Sequence, residues 1–101
     1  MKDLELFTKA REVYQKIGYA KGDYVDADGN VCALGALGVA MNIDPDIVYY
    51  VVDQRICNYL NDEAHALYGD EIAGVNDKMG RDAVLHVYDN VIKRVEQDHG
   101  K

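Results

Sequence analysis

The chain has 101 residues, of which 49% are hydrophobic and 29% charged, with 8 Tyr, 1 Phe, 1 Pro and no Trp. That length makes one small domain, too short for a two-domain enzyme with a cleft between its halves, and the composition excludes collagen-like, proline-rich and membrane-spanning chains. The 11 basic and 18 acidic side chains leave a net charge of −7, which repels phosphate and anionic lipid heads, so neither direct nucleic-acid binding nor membrane binding is expected.

Leu6, Phe7, Ala10, Val13, Tyr14 and Ile17 recur at spacings of three and four, with Lys9, Arg11, Glu12 and Lys16 between them. This spacing predicts an amphipathic helix over about 4–17, with Asp3 as N-cap and Gly18 as the residue that stops it. From Tyr19 to Val31 the periodicity fails and turn formers take over, so about 19–31 reads as an irregular loop or a short hairpin reversing at Asp28-Gly29. Cys32 to Met41 carries no charge and many small residues, the pattern of a helix buried on most sides. Its two glycines, Gly35 and Gly38, each cost about 1 kcal/mol against alanine inside a helix and therefore need a packing reason.

Asp44-Pro45 is a restart signal, because proline at the first helical position has no N–H to leave unsatisfied and aspartate caps the turn. Val48, Val52, Ile56, Tyr59, Leu60, Ala64 and Leu67 keep a helical stripe over about 46–68, as one helix or two, with Gly69 as the stop. Asp70 to Gly80 reads as a connector. A final helix follows over about 82–97, capped by Asp82 and marked by Val84, Leu85, Tyr88, Val91, Ile92 and Val95, and a frayed tail occupies 98–101. The expected fold is thus all-α: one domain, 1–101, built as a bundle of four or five helices.

Several constellations invite a chemical reading. The acidic loop Asp23, Asp26, Asp28, Asn30 is not an EF-hand, because Gly29 at position 6 places Tyr24 at position 1 and Gly35 at position 12, where oxygen ligands are required. Asp62 and His65 are three apart on one expected helix, as are His86 and Asp89 on another; two such faces opposed would hold a metal, although surface charge is the favoured reading. Cys32 near a helix start, with His65 as a base, is the arrangement that nucleophilic cysteine chemistry needs, but a buried structural thiol ranks ahead of it. The two cysteines, Cys32 and Cys57, lie in apolar settings, and Met1-Lys-Asp-Leu-Glu lacks the apolar core of a secretory signal, so reduced thiols in a cytoplasm are expected. No phosphate cradle or other cofactor motif is present, and no cofactor is expected. Tyr49 and Tyr50 cannot both face the core of one helix, which makes that pair a candidate contact surface.

Asp26-Ala-Asp-Gly29, Cys32-Ala-Leu-Gly-Ala-Leu37, Asn76-Asp77, Gly80-Arg81, Val84-Leu85, Asp89 and Ile92 together resemble an uncharacterised family of small proteins of actinobacteria and their phages. The resemblance implies an accessory protein of the cytoplasm, that of the host cell where a phage encodes it. It marks Asn76, Asp77, Arg81 and Asp89 as candidate binding residues beside Cys32. The leading expectation is a non-enzymatic module that binds a host protein or itself, as a homodimer, through Tyr49 and Tyr50. A small ligand-binding protein or cysteine enzyme centred on Cys32 and the Asn76-Asp77 loop is the second expectation, and an acidic mimic of DNA is the third.

Overall fold

A computed structural model describes residues 2–99. Among these described residues six α-helices follow one another: α1 (Asp3–Ile17), α2 (Ala33–Ala40), α3 (Val48–Val51), α4 (Gln54–Tyr68), α5 (Ile72–Met79) and α6 (Arg81–His99), with a 3-10 turn over Pro45–Ile47 leading into α3. The long α6 is the spine, packed against α1, α4 and α5, while α1 also packs on α2. Val84, Val87, Tyr88, Val91 and Val95 form its buried stripe and meet Phe7 and Tyr14 of α1, Leu37 of α2 and Leu60 of α4 in a single core. Phe7 sets its ring edge-to-face against Tyr88 at 6.5 Å and Tyr59 at 5.8 Å. Each fully buried aliphatic or aromatic side chain of this kind contributes about 1.5–3 kcal/mol.

The helical class agrees with the expectation, whereas the number of helices exceeds it. The region about 46–68 divides because Asp53 turns its carboxylate onto the Arg55 N–H at 3.0 Å and caps α4, so the chain is extended at Val52 although the apolar spacing runs through. The connector Asp70 to Gly80 contains α5, which buries Ile72, Val75 and the polar Asn76. Among the described residues the stretch about 19–31 holds no strand; it makes two isolated bridges, Gly18 with Val31 and Val25 with Val31. Asp3 is the first residue of α1 with Lys2 before it, and Asp82 sits in the first turn of α6, so neither takes the expected capping position. Gly69 ends α4 with φ of +74°, the left-handed conformation that glycine adopts without strain. The helix α6 continues to His99, and residues 100 and 101 of the expected tail lie outside the described residues.

The small residues of α2 have the packing reason they require. A Cβ on Gly35 would stand 2.1 Å from the Tyr24 carbonyl oxygen, and one on Gly38 would stand 2.8 Å from Pro45 Cα. Hydrogen at these two positions lets the 19–31 loop and the 3-10 turn lie directly on the helix. No helix among the described residues is long and apolar enough to cross a membrane.

Candidate functional site

The loop between α1 and α2 is held by its own polar groups. Asp26 Oδ1 accepts the N–H groups of Asp28 and Asn30, both at 2.9 Å, and the hydrogen bonds from Asn30, Asp28 and Gly29 keep this carboxyl below the usual aspartate range. The turn carries the chain back so that Ala20 N–H donates to the Val31 carbonyl and Val31 N–H to the Ile17 carbonyl. Cys32 then takes the N-cap of α2, its Sγ accepting the Gly35 N–H at 3.3 Å.

From the opposite side α5 supplies Asn76 and Asp77. Asn76 is 1% exposed and uses its whole amide on the protein. Oδ1 accepts the Tyr14 hydroxyl at 2.8 Å and the Ala33 N–H at 3.2 Å, while Nδ2 donates to the Ala20 carbonyl at 2.7 Å and Asp77 Oδ1 at 3.1 Å. Asp77 Oδ1 also accepts the Gly22 N–H at 3.0 Å. The Asn76-Asp77 pair therefore ties α5 to the loop and to α2 by side-chain-to-backbone bonds and to α1 through the Tyr14 hydroxyl.

Between these elements opens a cavity of about 400 Å³, lined by Tyr24, Val25, Cys32, Ala33, Leu34 and Ala73 and by the acidic residues Asp23, Asp46 and Asp77. This volume falls in the range of small-ligand pockets. Among the described residues no lysine, arginine or histidine lines it. Burial pushes the Cys32 thiol above its ordinary value, and the negative charge of Asp77 adds to that shift, overcoming the hydrogen bonds from the Gly35 and Leu34 backbone that favour the thiolate. Cys32 is consequently a neutral thiol at physiological pH, without the depressed pKa on which reactive cysteines depend.

The remaining expected residues do not gather at this cavity. His65 lies exposed on α4 and is absent from the walls around Cys32, so the pairing of thiol with imidazole is not made. Arg81 donates from Nη2 to the Gln15 carbonyl at the end of α1. The two carboxylate–imidazole pairs are likewise not assembled into a metal centre. Asp89 Oδ1 takes the Arg11 guanidinium at 2.5 Å, His86 Nδ1 shares a 3.0 Å hydrogen bond with the Tyr68 hydroxyl, and Asp62 sits in a shallow depression beside Arg55 and Arg94. Among the described residues no group of three or more His, Cys, Asp or Glu is placed to hold a metal ion.

Tyr49 and Tyr50 occupy α3, where one residue in the turn, Val48, is fully buried and anchors it. With that single anchor the rest of the turn faces outward: Ile47 is 45% exposed, Tyr49 50%, Tyr50 82% and Val51 54%. The two tyrosine rings meet edge-to-face at 5.9 Å. Asp46, next to Ile47, lines the cavity, so this apolar face and the cavity adjoin. Ile47, Val51 and Asp46 escape the sequence reading, and Asp23 and Tyr24 enter it only as part of the acidic loop, not as lining of this cavity. The signal for the first two is the uninterrupted run Ile47-Val-Tyr-Tyr-Val-Val52, which no single helix can bury on all sides.

Comparison with known proteins matches residues 1–94 to the model of a family of unknown function, DUF6197. No curated protein and no solved structure matches the chain.

Proposed function

We propose, because the chain belongs to DUF6197, a family of unknown function, a role read from its own surface: a non-enzymatic module that binds a protein through Ile47, Tyr49, Tyr50 and Val51. The observation that carries this reading is the outward display of four of the five large side chains of residues 47–51, all but the buried Val48. Tyrosines are frequent anchors in interfaces because the ring buries apolar area while the hydroxyl still finds a partner. The neutral Cys32 thiol and the lack of a basic group among the described residues that line the cavity support binding rather than catalysis. DNA mimicry has less support, since Asp26, Asp44, Asp53 and Asp70 are committed to backbone N–H groups and Asp3, Glu63 and Asp89 to arginines. The resemblance carried by the Cys32–Leu37 and Asn76-Asp77 motifs supports placing such a module in the cytoplasm of an actinobacterium or one infected by phage.

A photo-crosslinking amino acid installed at position 50 tests the reading in cells that make the protein. A protein adduct, to itself or to another chain, is expected from position 50 and not from the exposed Glu96 on α6. Equal labelling from both positions, or none from position 50, would overturn it.

A second reading, a small-ligand protein, is favoured by one observation: Cys32, Asn76 and Asp77 line the same cavity of about 400 Å³.

A further inference from the structure

The apolar face and the cavity carry different chemistry on one continuous surface, and together they restrict what can dock there. Asp44 and Asp46 precede the run Ile47–Val51, and Asp53 follows it. Asp44 and Asp53 cap backbone N–H groups, and Asp53 has Arg55 as a neighbour at 3.6 Å. Asp23 and Asp46, exposed at the cavity, have no ion pair among the described residues. Asp77 accepts two neutral hydrogen bonds there and forms no ion pair among the described residues. Three acidic residues thus line an opening shared with Tyr24, Val25, Leu34 and Ala73, beside the exposed Ile47, Tyr49, Tyr50 and Val51.

A second copy of this chain suits that surface poorly. In a two-fold dimer built on α3 the same patch meets itself, which sets Asp46 and its acidic neighbours against their own equivalents, with −7 on each protomer. Like charges brought together in an interface cost several kcal/mol, whereas opposite charges speed encounter and fix register.

We infer that the partner is a different protein presenting a lysine or arginine flanked by apolar residues, the basic group seated among Asp23, Asp46 and Asp77 and the apolar flanks covering Ile47, Tyr49, Tyr50 and Val51. The inference rests on the protein-binding reading and adds the chemistry of the partner. A lysine suits this opening as arginine does, since its four-carbon stem lies along the apolar wall while its ammonium reaches the rim.

Selection of a random-peptide library on the full chain, with counter-selection on the Tyr50→Ser variant, tests it. Peptides combining a basic residue with adjacent apolar ones are expected. Asp23→Asn and Asp46→Asn, both at exposed positions that the fold does not depend on, should each weaken such a peptide roughly fivefold, and added salt should weaken it further. Tyr50-dependent peptides without a basic residue, or affinities that ignore both Asp→Asn changes, overturn the inference and leave the binding face standing. A dimer in sedimentation that Tyr50→Ser dissociates does the same. Absence of any Tyr50-dependent peptide together with a strict monomer overturns both the inference and the reading beneath it.

Discussion

Asn76 and Tyr14, 62 residues apart in the chain, meet in the core through a 2.8 Å hydrogen bond from the tyrosine hydroxyl to the amide oxygen. The same oxygen accepts the Ala33 N–H, and the amide nitrogen holds the Ala20 carbonyl. Replacing Asn76 by alanine leaves a phenol, a backbone donor and a backbone acceptor buried and unpaired. Each such group costs about 1–3 kcal/mol, so Asn76→Ala should lose at least about 3 kcal/mol in urea unfolding. A loss under 1 kcal/mol would mean that water reaches these groups.

Gly35→Ala separates helix propensity from packing. Alanine gains about 1 kcal/mol over glycine in a helix interior. Here its methyl would stand 2.1 Å from the Tyr24 carbonyl oxygen, a backbone atom that the bridges of the loop hold in place. Overpacking of this kind costs about 1–3 kcal/mol or more. A net destabilisation is expected, with the amide signals of residues 22–25 displaced in NMR spectra. An increase in stability would show that the loop yields freely.

These two residues also mark where the sequence is readable and where it is not. The stripes of α1, α4 and α6 are plain, because Leu6, Phe7, Ala10 and Tyr14, or Val84, Tyr88, Val91 and Val95, repeat on one face. The helix α5 is hidden because its third inward position is Asn76, a polar residue whose burial makes sense only with Tyr14, Ala20 and Ala33 around it. The break before α4 is hidden for the opposite reason: Val48, Val52 and Ile56 continue the apolar spacing across a cap that Asp53 supplies. Cys32, Asn76 and Asp77 could be singled out through the family resemblance, but Asp23 and Asp46 reach the same cavity only through the course of the loop and the 3-10 turn.

Alkaline pH should destabilise the fold through its buried phenols. Burial holds Tyr14 and Tyr88 protonated well above the ordinary tyrosine value of 10.0. Below pH 10 the folded and unfolded states both keep these protons, and the stabilisation is complete. Above it the unfolded chain releases them first, so each residue removes up to about 1.4 kcal/mol of stability per pH unit. Urea midpoints measured from pH 8 upward should fall most steeply above 10, and Tyr88→Phe should lessen that slope while costing about 1 kcal/mol at neutral pH for the lost bond to the Ala33 carbonyl. An unaltered slope in Tyr88→Phe would place the titration elsewhere.

The thiols supply the last prediction, one that separates a binding protein from a cysteine enzyme. Cys57 is buried in the core, and desolvation raises its pKa; Cys32, half-buried at the helix cap, is raised first by burial and further by Asp77. Thiolate is the reacting form, so N-ethylmaleimide at pH 7 should label either position at least about tenfold more slowly in the folded protein than in concentrated urea. Peptide mapping by mass spectrometry assigns the label, and the rate at Cys32 should climb only in the alkaline range. Rapid labelling of Cys32 in the folded chain at pH 7 would instead identify an activated thiol, and the cavity around it would have to be read as a catalytic one.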